Sequence, residues 1–261
     1  MVLNMNIKLS DKQKQILEWC KLGNGIQYVV VATGRQVGKT TIATLVALEW
    51  ALQNVDYDIG FFMPTYKQCK KVFKDYMKMC KELNFVKFNK SDLIVTFKNG
   101  STIQFFTCEN ENIRTFTFDA VVVDEACFIK DYIWTAIIEP TIGASFSKLD
   151  EHGNPGNRGK ALITSTPKAK NWFHTFVTDD TIDRKVVTRF TTIEGGVLSY
   201  DYVMGIKKRI DKQLYACEYD GEFIESGTGM FAYKGLINKV APSMKGHVAG
   251  IDVGSRDDYT V

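Results

Sequence analysis

The sequence lacks several features that mark specialised classes of protein. It has no run of about 18 apolar residues, so we expect no membrane-spanning helix and no membrane partner. The first residues show neither the apolar core nor the cleavage site of a signal peptide. The six cysteines include no C-x-x-C pair, and the three histidines lie far apart. These spacings argue against a disulfide framework, a zinc site or a histidine-based metal centre.

A strong charge of either sign is also missing. The formal net charge is +3 over 261 residues, which permits a nucleic-acid partner without arguing for one. The hydrophobic share of 45% and the charged share of 24% are ordinary for a globular protein. The length suits one large domain, or one domain and part of another.

The chain does contain apolar bursts that alternate with amphipathic stretches. This pattern predicts an α/β fold with a mainly parallel sheet. The predicted core strands are Tyr28–Ala32, Ile59–Met63, Ala120–Asp124 and Ala161–Ser165, and the predicted helices are Lys39–Gln53, Tyr66–Leu83 and Asp131–Ile138. Between Phe85 and Thr107, alternation broken by Asn99-Gly100 predicts an inserted β-hairpin with a type I′ turn.

The stretch VVVATGRQVGKTTIATLVALEW (Val29–Trp50) has the order strand, loop, helix. A phosphate-binding loop needs inward-pointing N–H groups, a lysine for the phosphates and a hydroxyl for magnesium, and Gly38-Lys39-Thr40 supplies the end of that pattern. The usual first glycine falls on Thr33, with Gly34 one place later. The alternative is a chance GKT in a glycine turn, which the flanking strand and helix disfavour.

The stretch FDAVVVDEACF (Phe118–Phe128) places two carboxylates after a buried strand. Asp124 at the strand end is suited to hold magnesium through water. We expect the Glu125 side chain to point elsewhere, because neighbouring strand residues face opposite sides, and to deprotonate an attacking water. The alternative is an acidic pair that opens a surface loop.

Taken in order, these segments resemble the large terminase subunit of tailed bacteriophages, the ATPase that packages DNA into the capsid. GRQVGKT, VVVDEA and ITSTP (Ile163–Pro167) carry the resemblance. LSDKQKQIL (Leu9–Leu17) resembles the family's adenine-recognition segment, and MPTYKQCKKVF follows the second strand as in the family. CEYDGEF (Cys217–Phe223) resembles the segment that closes the ATPase domain, and AGIDVG (Ala249–Gly254) resembles the first strand of an RNase H-like nuclease.

The resemblance implies an ASCE/RecA-like P-loop NTPase fold, with helices on both faces of the sheet, that uses ATP and Mg²⁺. Lys39 and Thr40 match the phosphate and magnesium residues, and Arg35 matches an arginine that acts in cis on the γ-phosphate. Asp124 and Glu125 match the Walker B pair. The implied catalytic residues are Glu125, Arg35 and Lys39, and the implied magnesium ligands are Thr40 and Asp124. The implied nucleotide-binding residues are Gln13, Thr33, Gly34, Arg35, Gln36, Val37, Gly38, Lys39, Thr40 and Thr41.

Three hydroxyl residues in the ITSTP segment match a coupling motif that senses hydrolysis: Thr164, Ser165 and Thr166. Hydroxyls at the carboxyl end of a strand lie in the ligand crevice of an open α/β sheet, which suits that role. The alternative is a Ser/Thr cap for the helix predicted near Asn171.

The implied domains are an ATPase domain over 1–225, a linker over 226–245 and the first strand of a nuclease domain over 246–261. Asp252 matches the first metal ligand of the nuclease. Cleavage by a metal pair needs several carboxylates, so we expect no nuclease activity from this chain.

The implied function is an ATPase motor that translocates double-stranded DNA into a procapsid in the host cytoplasm. The implied partners are the small terminase subunit and the portal protein, with a homo-oligomeric ring on the portal and a monomer in isolation. Two alternatives are a helicase-like or other nucleic-acid-dependent NTPase and a regulatory module that binds nucleotide without hydrolysis. Glu125 argues against the second alternative.

Two basic features have both a functional and an ordinary interpretation. Arg114 precedes the Walker B strand, where family members often carry arginine followed by glycine; here Thr115 follows, and a surface arginine is the alternative. Six lysines recur every three or four residues opposite a predicted buried face of Val72, Phe73, Tyr76, Cys80 and Leu83. They suit DNA phosphates or a solvated helix face. These lysines are Lys67, Lys70, Lys71, Lys74, Lys78 and Lys81.

Overall fold

The computed structural model describes residues 8–81, 83–109, 113–146 and 158–224. The predicted linker over 226–245 and the predicted nuclease strand over 246–261, with Asp252, lie outside the described residues.

The described residues form one sheet of eight strands in the order β3-β4-β5-β2-β6-β7-β1-β8. The strands are β1 (Tyr28–Thr33), β2 (Asp58–Met63), β3 (Val86–Asn89), β4 (Ile94–Phe97), β5 (Thr102–Thr107), β6 (Ala120–Asp124), β7 (Lys160–Ser165) and β8 (Lys185–Phe190). Strands β5, β2, β6, β7, β1 and β8 are parallel neighbours. The four predicted core strands are confirmed to within one residue at either end.

Helices cover both faces of this sheet, as predicted. The helices are α1 (Asp11–Cys20), α2 (Lys39–Gln53), α3 (Tyr66–Met79), α4 (Asp131–Ile133), α5 (Glu139–Phe146), α6 (Trp172–Thr178), α7 (Thr192–Gly195), α8 (Tyr200–Lys207) and α9 (Lys212–Tyr215). One core joins α1, α2 and α3 to one face, where Val29 and Val31 of β1 point. A second core joins the α4 region and α6 to the opposite face, where Val30 and Ala32 point. Residues of β1, β6 and β7 are buried throughout because both faces are covered.

Two helices differ from their predicted bounds. Helix α3 ends at Met79, and a turn closed by the Leu83 N–H and the Cys80 carbonyl replaces its predicted last residues. The predicted helix Asp131–Ile138 comprises α4 and a π-helical stretch, Trp134–Ile138, and it continues as α5. Pro140 lies just after the π-helical stretch, and because proline has no N–H it cannot donate to the carbonyl four residues earlier. Within the described residues, none of the helices has the length and apolarity to cross a membrane.

The inserted hairpin is present, but the predicted turn type is wrong. Strands β4 and β5 are antiparallel, and the turn is closed by hydrogen bonds from the Gly100 N–H to the Phe97 carbonyl and from the Phe97 N–H to the Ser101 carbonyl. Gly100 has φ of 87°, whereas Asn99 has no positive φ, so the turn is not type I′. The Asn99 amide donates to the carbonyl of Ala51 at the end of α2, a tertiary contact that the local sequence does not encode.

Candidate nucleotide-binding active site

Strands β6, β7 and β1 lie side by side and parallel, so their carboxyl ends meet at one edge of the sheet. Asp124 ends β6, Thr164 pairs with it in β7, and the loop from β1 to α2 begins just after Thr33. This edge is where an open α/β sheet binds ligands. The strand order therefore brings the predicted loop, the predicted carboxylates and the predicted coupling segment together.

In the loop between β1 and α2, the first glycine stands at Gly34, one position later than in the usual phosphate-loop motif, and the structure shows why. Thr33 is the last residue of β1, pairs with Phe190 and has no positive φ, so its position does not require glycine. A Cβ on Gly34 would lie 2.4 Å from Thr192 Oγ1 and 2.4 Å from the Tyr219 carbonyl oxygen. Gln36 and Gly38 adopt left-handed conformations, with φ of 57° and 82°. Such conformations occur in backbone turns that bind anions.

The ammonium group of Lys39 lies inside this loop. The side chain is buried, and Nζ donates to the Gly34 carbonyl and to Thr166 Oγ1, both at 2.8 Å. Burial lowers the pKa of Lys39, and the nearby Glu125 and Asp124 carboxylates oppose that shift. No carboxylate of the described residues forms an ion pair with this ammonium. A buried cation without a direct counter-ion fits an anion such as a nucleotide phosphate.

Asp124 and Thr40, the predicted magnesium ligands, are in direct contact. Asp124 is fully buried, and its Oδ2 accepts a hydrogen bond of 2.6 Å from Thr40 Oγ1. Its other oxygen, Oδ1, accepts from the Glu125 N–H at 3.1 Å. A carboxylate beside a hydroxyl is the set of hard oxygen ligands that Mg²⁺ takes in phosphate sites. The residues present thus fit the metal.

Glu125 lies just beyond β6, so strand alternation does not direct its side chain and that part of the prediction is wrong. Its φ of 57° is left-handed, and this conformation sets the orientation instead. Non-glycine residues rarely adopt it, and such strained residues cluster at active sites. Burial, and then the charge of Asp124, raises the pKa of Glu125, whereas Lys39 and Arg35 lower it. A raised carboxyl pKa is typical of a general base.

Arg35 is held by a glutamate that the sequence pattern does not single out. The backbone N–H of Arg35 donates to the backbone carbonyl of Glu218 at 2.7 Å, and the side-chain Nε of Arg35 lies 3.4 Å from Glu218 Oε2. The other carboxylate oxygen of Glu218 pairs with Lys168. Glu218 lies in the π-helical stretch Ala216–Asp220 that follows α9. The segment CEYDGEF carries part of the family resemblance, but only the tertiary fold reveals that it contacts the phosphate loop.

Gln13 contacts the same loop from α1. Its Nε2 donates to the Val37 carbonyl at 3.0 Å, and its Oε1 accepts from the N–H of Ser10, the N-cap of α1. A Cβ on Gly38 would lie 2.4 Å from this Nε2, which adds to the need for glycine there. The amide thus supports the phosphate loop. A cleft of about 770 Å³ opens beside the first turn of α1 and is bounded on the other side by Glu194–Gly196.

Each residue of the predicted coupling segment contacts a different part of the site. Thr164 Oγ1 donates to Asp124 Oδ1 at 2.5 Å, Ser165 Oγ accepts from the Cys127 N–H at 3.0 Å, and Thr166 accepts from Lys39. The capping alternative is wrong, because Asn171 is itself the N-cap of α6 and accepts from the Phe173 N–H.

Three further predicted residues lie at the margin of this arrangement or beyond it. Thr41 is exposed on the first turn of α2. Arg114 is exposed, in keeping with the interpretation as a surface arginine. Asp252 lies outside the described residues.

The fold and the site together define a P-loop NTPase-type α/β protein. Its family is that of the phage large terminases: a family model described as "Terminase large subunit, T4likevirus-type, N-terminal" matches residues 30–236, and the chain belongs to this family.

Individual relatives agree with this assignment. The large terminase subunit of Thermus phage G20c is 27% identical over 168 residues, which cover 56% of this chain and 32% of that relative. The match thus spans about a third of the relative's length.

Solved structures share the fold. The large terminase ATPase domain of Thermus phage P74-26 superposes with a TM-score of 0.65 at 20% identity, covering 84% of this chain and 100% of that chain. The large terminase from a thermophilic bacteriophage, in complex with ADP, gives a TM-score of 0.66 at 17% identity, covering 83% of this chain and 54% of that chain.

Proposed function

We propose that this chain hydrolyses ATP and forms the motor part of a machine that moves double-stranded DNA into a viral procapsid. One observation carries the proposal: Lys39, the Thr40–Asp124 pair and Glu125 meet at one sheet edge in a chain of the large terminase family. The large terminase from a thermophilic bacteriophage, which shares the fold, is described in complex with ADP.

The proposed chemistry assigns one task to each group. The N–H groups of the loop and the Lys39 ammonium hold the ATP phosphates, and Thr40 and Asp124 hold Mg²⁺. When bound, Mg²⁺ neutralises charge on the β- and γ-phosphates. Glu125 orients a water and takes its proton, which its raised pKa favours.

Two further parts of the proposal concern Arg35 and the hydroxyl segment. Arg35 stabilises the transferring phosphoryl group after leaving Glu218, and such an arginine is worth about 10³–10⁵ in rate. Thr164 and Thr166 contact Asp124 and Lys39, so a change at the phosphates would alter the hydrogen bonds at the end of β7. These contacts support a coupling role. Gln13 and the adjacent cleft are the proposed adenine side of the site.

The proposed partners are the small terminase subunit, the portal protein and further copies of this chain in a ring on the portal. The proposed location is the host cytoplasm. The proposed activity is hydrolysis of ATP without cleavage of DNA, because cleavage by a metal pair needs several carboxylates and the family resemblance assigns Asp252 alone as a nuclease metal ligand. Magnesium-dependent cleavage of plasmid DNA that disappears in Asp252→Ala would contradict that proposal.

The direct test is steady-state hydrolysis of Mg·ATP with and without duplex DNA, together with equilibrium binding of a fluorescent ATP analogue. Lys39→Ala should lose both binding and turnover while its circular dichroism stays that of the wild type. Lys130→Ala, which removes an exposed lysine outside the loop, is the matched control. Near-normal turnover in Lys39→Ala would overturn the phosphate-loop assignment.

The two alternatives give different results in the same preparation. A regulatory module would bind nucleotide without measurable turnover. A helicase-like enzyme would separate the strands of a tailed duplex. DNA-stimulated hydrolysis without strand separation is the outcome that the proposal expects.

A further inference from the structure

The outer face of α3 presents a row of lysines that the nucleotide site does not use. Lys67, Lys70, Lys71, Lys74 and Lys78 are exposed on this helix, and Lys81 is exposed just beyond it. The opposite face is buried through Cys69, Val72, Phe73 and Tyr76. This arrangement confirms the predicted separation of the two faces, except that Cys80, Lys81 and Leu83 lie past the helix end.

Positive charge is concentrated on this one helix. Its 14 residues contain five lysines and one aspartate, a net charge of +4. The whole chain has +3, so the remaining residues carry a net charge of −1. A basic patch on an otherwise near-neutral chain is the electrostatic footprint of a polyanion partner.

The pattern also differs from an ordinary solvated helix face. Such a face mixes signs so that pairs three or four residues apart attract, whereas here the spacings Lys67/Lys71, Lys70/Lys74 and Lys74/Lys78 set like charges together. Lys67 stands in the first turn, where the helix dipole disfavours a cation. Within the described part of the chain, Lys78 with Asp75 at 3.6 Å is the one ion pair formed by the lysines of α3.

We propose that this lysine face is a docking surface for the phosphate backbone of double-stranded DNA, which it binds without reading sequence. The proposal rests on the proposed motor function. At about 1.5 Å per residue, Lys67 to Lys78 extends about 17 Å. That length matches about five phosphates of one strand at an axial spacing of about 3.4 Å.

The chemistry of the face suits phosphates and not base edges. Lysine acts as a point charge, and each lysine of α3 can reach a separate phosphate oxygen. Gln68, whose amide is able to read adenine in a groove, is committed to the capping box at the start of α3. The Lys70 ammonium lies 5.9 Å from the centroid of the Tyr66 ring, a contact that leaves its hydrogen-bond donors available to a phosphate.

A chain of hydrogen bonds joins α3 to the nucleotide site. The Tyr76 hydroxyl on its buried face donates to the Thr44 carbonyl of α2. Thr44 Oγ1 donates to the Thr40 carbonyl at 2.7 Å, and Thr40 contacts Asp124. DNA bound on α3 would therefore contact a helix that is hydrogen-bonded to α2, the helix that carries Lys39 and Thr40.

The experiment measures fluorescence anisotropy of two blunt duplexes of unrelated sequence over ~50–200 mM salt. The test variant changes Lys67, Lys70, Lys71 and Lys74 to Gln. The control variant removes the same charge from four exposed lysines elsewhere, Lys21, Lys130, Lys208 and Lys212, each changed to Gln. Basal hydrolysis of ATP without DNA is measured on every preparation, because none of these lysines belongs to the nucleotide site.

The test variant should bind both duplexes at least about tenfold more weakly, with a salt slope reduced by about 1 per lysine removed, and should lose stimulation by DNA. The control variant should keep most of the affinity. Equal losses in the two variants, or unchanged binding in the test variant, would overturn the proposal. Failure of the motor function is distinguishable, because it appears as absent basal hydrolysis in the wild type whatever the DNA result.

Discussion

Thr164 on β7 donates a hydrogen bond of 2.5 Å to Oδ1 of Asp124 on β6, while Thr40 on α2 binds the other oxygen of the same carboxylate. The residue proposed to hold magnesium is thus held from two sides, by the helix that follows the phosphate loop and by the proposed coupling strand. A shift of either hydroxyl would change the hydrogen bonding of Asp124.

Replacement of Thr164 should separate chemistry from binding. Thr164→Val keeps the shape but removes the donor, which leaves a buried carboxylate oxygen less well satisfied, at about 1–3 kcal/mol of stability. We expect nucleotide affinity near that of the wild type and a clear loss of stimulated turnover. Thr164→Ser retains the hydroxyl donor and is the control. Equal turnover in the Val and Ser variants would remove Thr164 from the coupling role.

Glu125→Gln should bind Mg·ATP and turn it over very slowly. The amide keeps the size of the side chain but cannot accept the proton of water. Single-turnover hydrolysis and equilibrium binding, measured on the same protein, separate the two effects. Asp124→Asn is the comparison, since it should weaken magnesium-dependent binding as well. If Glu125→Gln abolished binding while Asp124→Asn spared hydrolysis, the two roles would be reversed.

The raised pKa of Glu125 also predicts how stability depends on pH. Because the folded state holds this proton more tightly than the unfolded state, the folded protein loses stability as the pH rises from the ordinary value of 4.5 through the raised pKa. Glu125→Gln should therefore have a higher Tm than the wild type at neutral pH. The difference should shrink below pH 4.5, where both side chains are neutral. A Tm difference that is constant with pH would contradict the raised pKa of Glu125.

Arg35→Ala should reduce turnover far more than affinity. An arginine on the γ-phosphate is worth about 10³–10⁵ in rate through the transition state. The structure pairs Arg35 with Glu218, so its loss should cost little nucleotide binding. Arg209→Ala, at an exposed site just after α8, controls for loss of charge. Weaker ATP binding with unchanged turnover at saturation would count against this role.

Local pattern predicts much of the fold. Strands β1, β6 and β7 are buried on both faces, so each is a continuous apolar run. Such a run can be recognised in the sequence without knowledge of the tertiary structure. The type of the hairpin turn does not follow from the pattern, because the bond from Asn99 to the Ala51 carbonyl overrides the preference of the Asn-Gly pair. The reason predicted for the direction of Glu125, strand alternation, does not apply, because Glu125 lies beyond the strand end and has a left-handed φ.

The sequence by itself determined the phosphate-loop motif from Thr33 to Thr40, the acidic pair at the end of β6 and the hydroxyls at the end of β7, because each is a contiguous pattern with its own chemistry. Only the tertiary structure decided which of them touch. Asp124 meets Thr164 and Thr40 because crossovers place β6 beside β7 and β7 beside β1, an order that no local pattern encodes. Glu218 contacts Arg35 although the two residues lie far apart in the sequence. Such a contact depends on how the later helices pack back over the sheet, and the residues adjacent in sequence do not determine it.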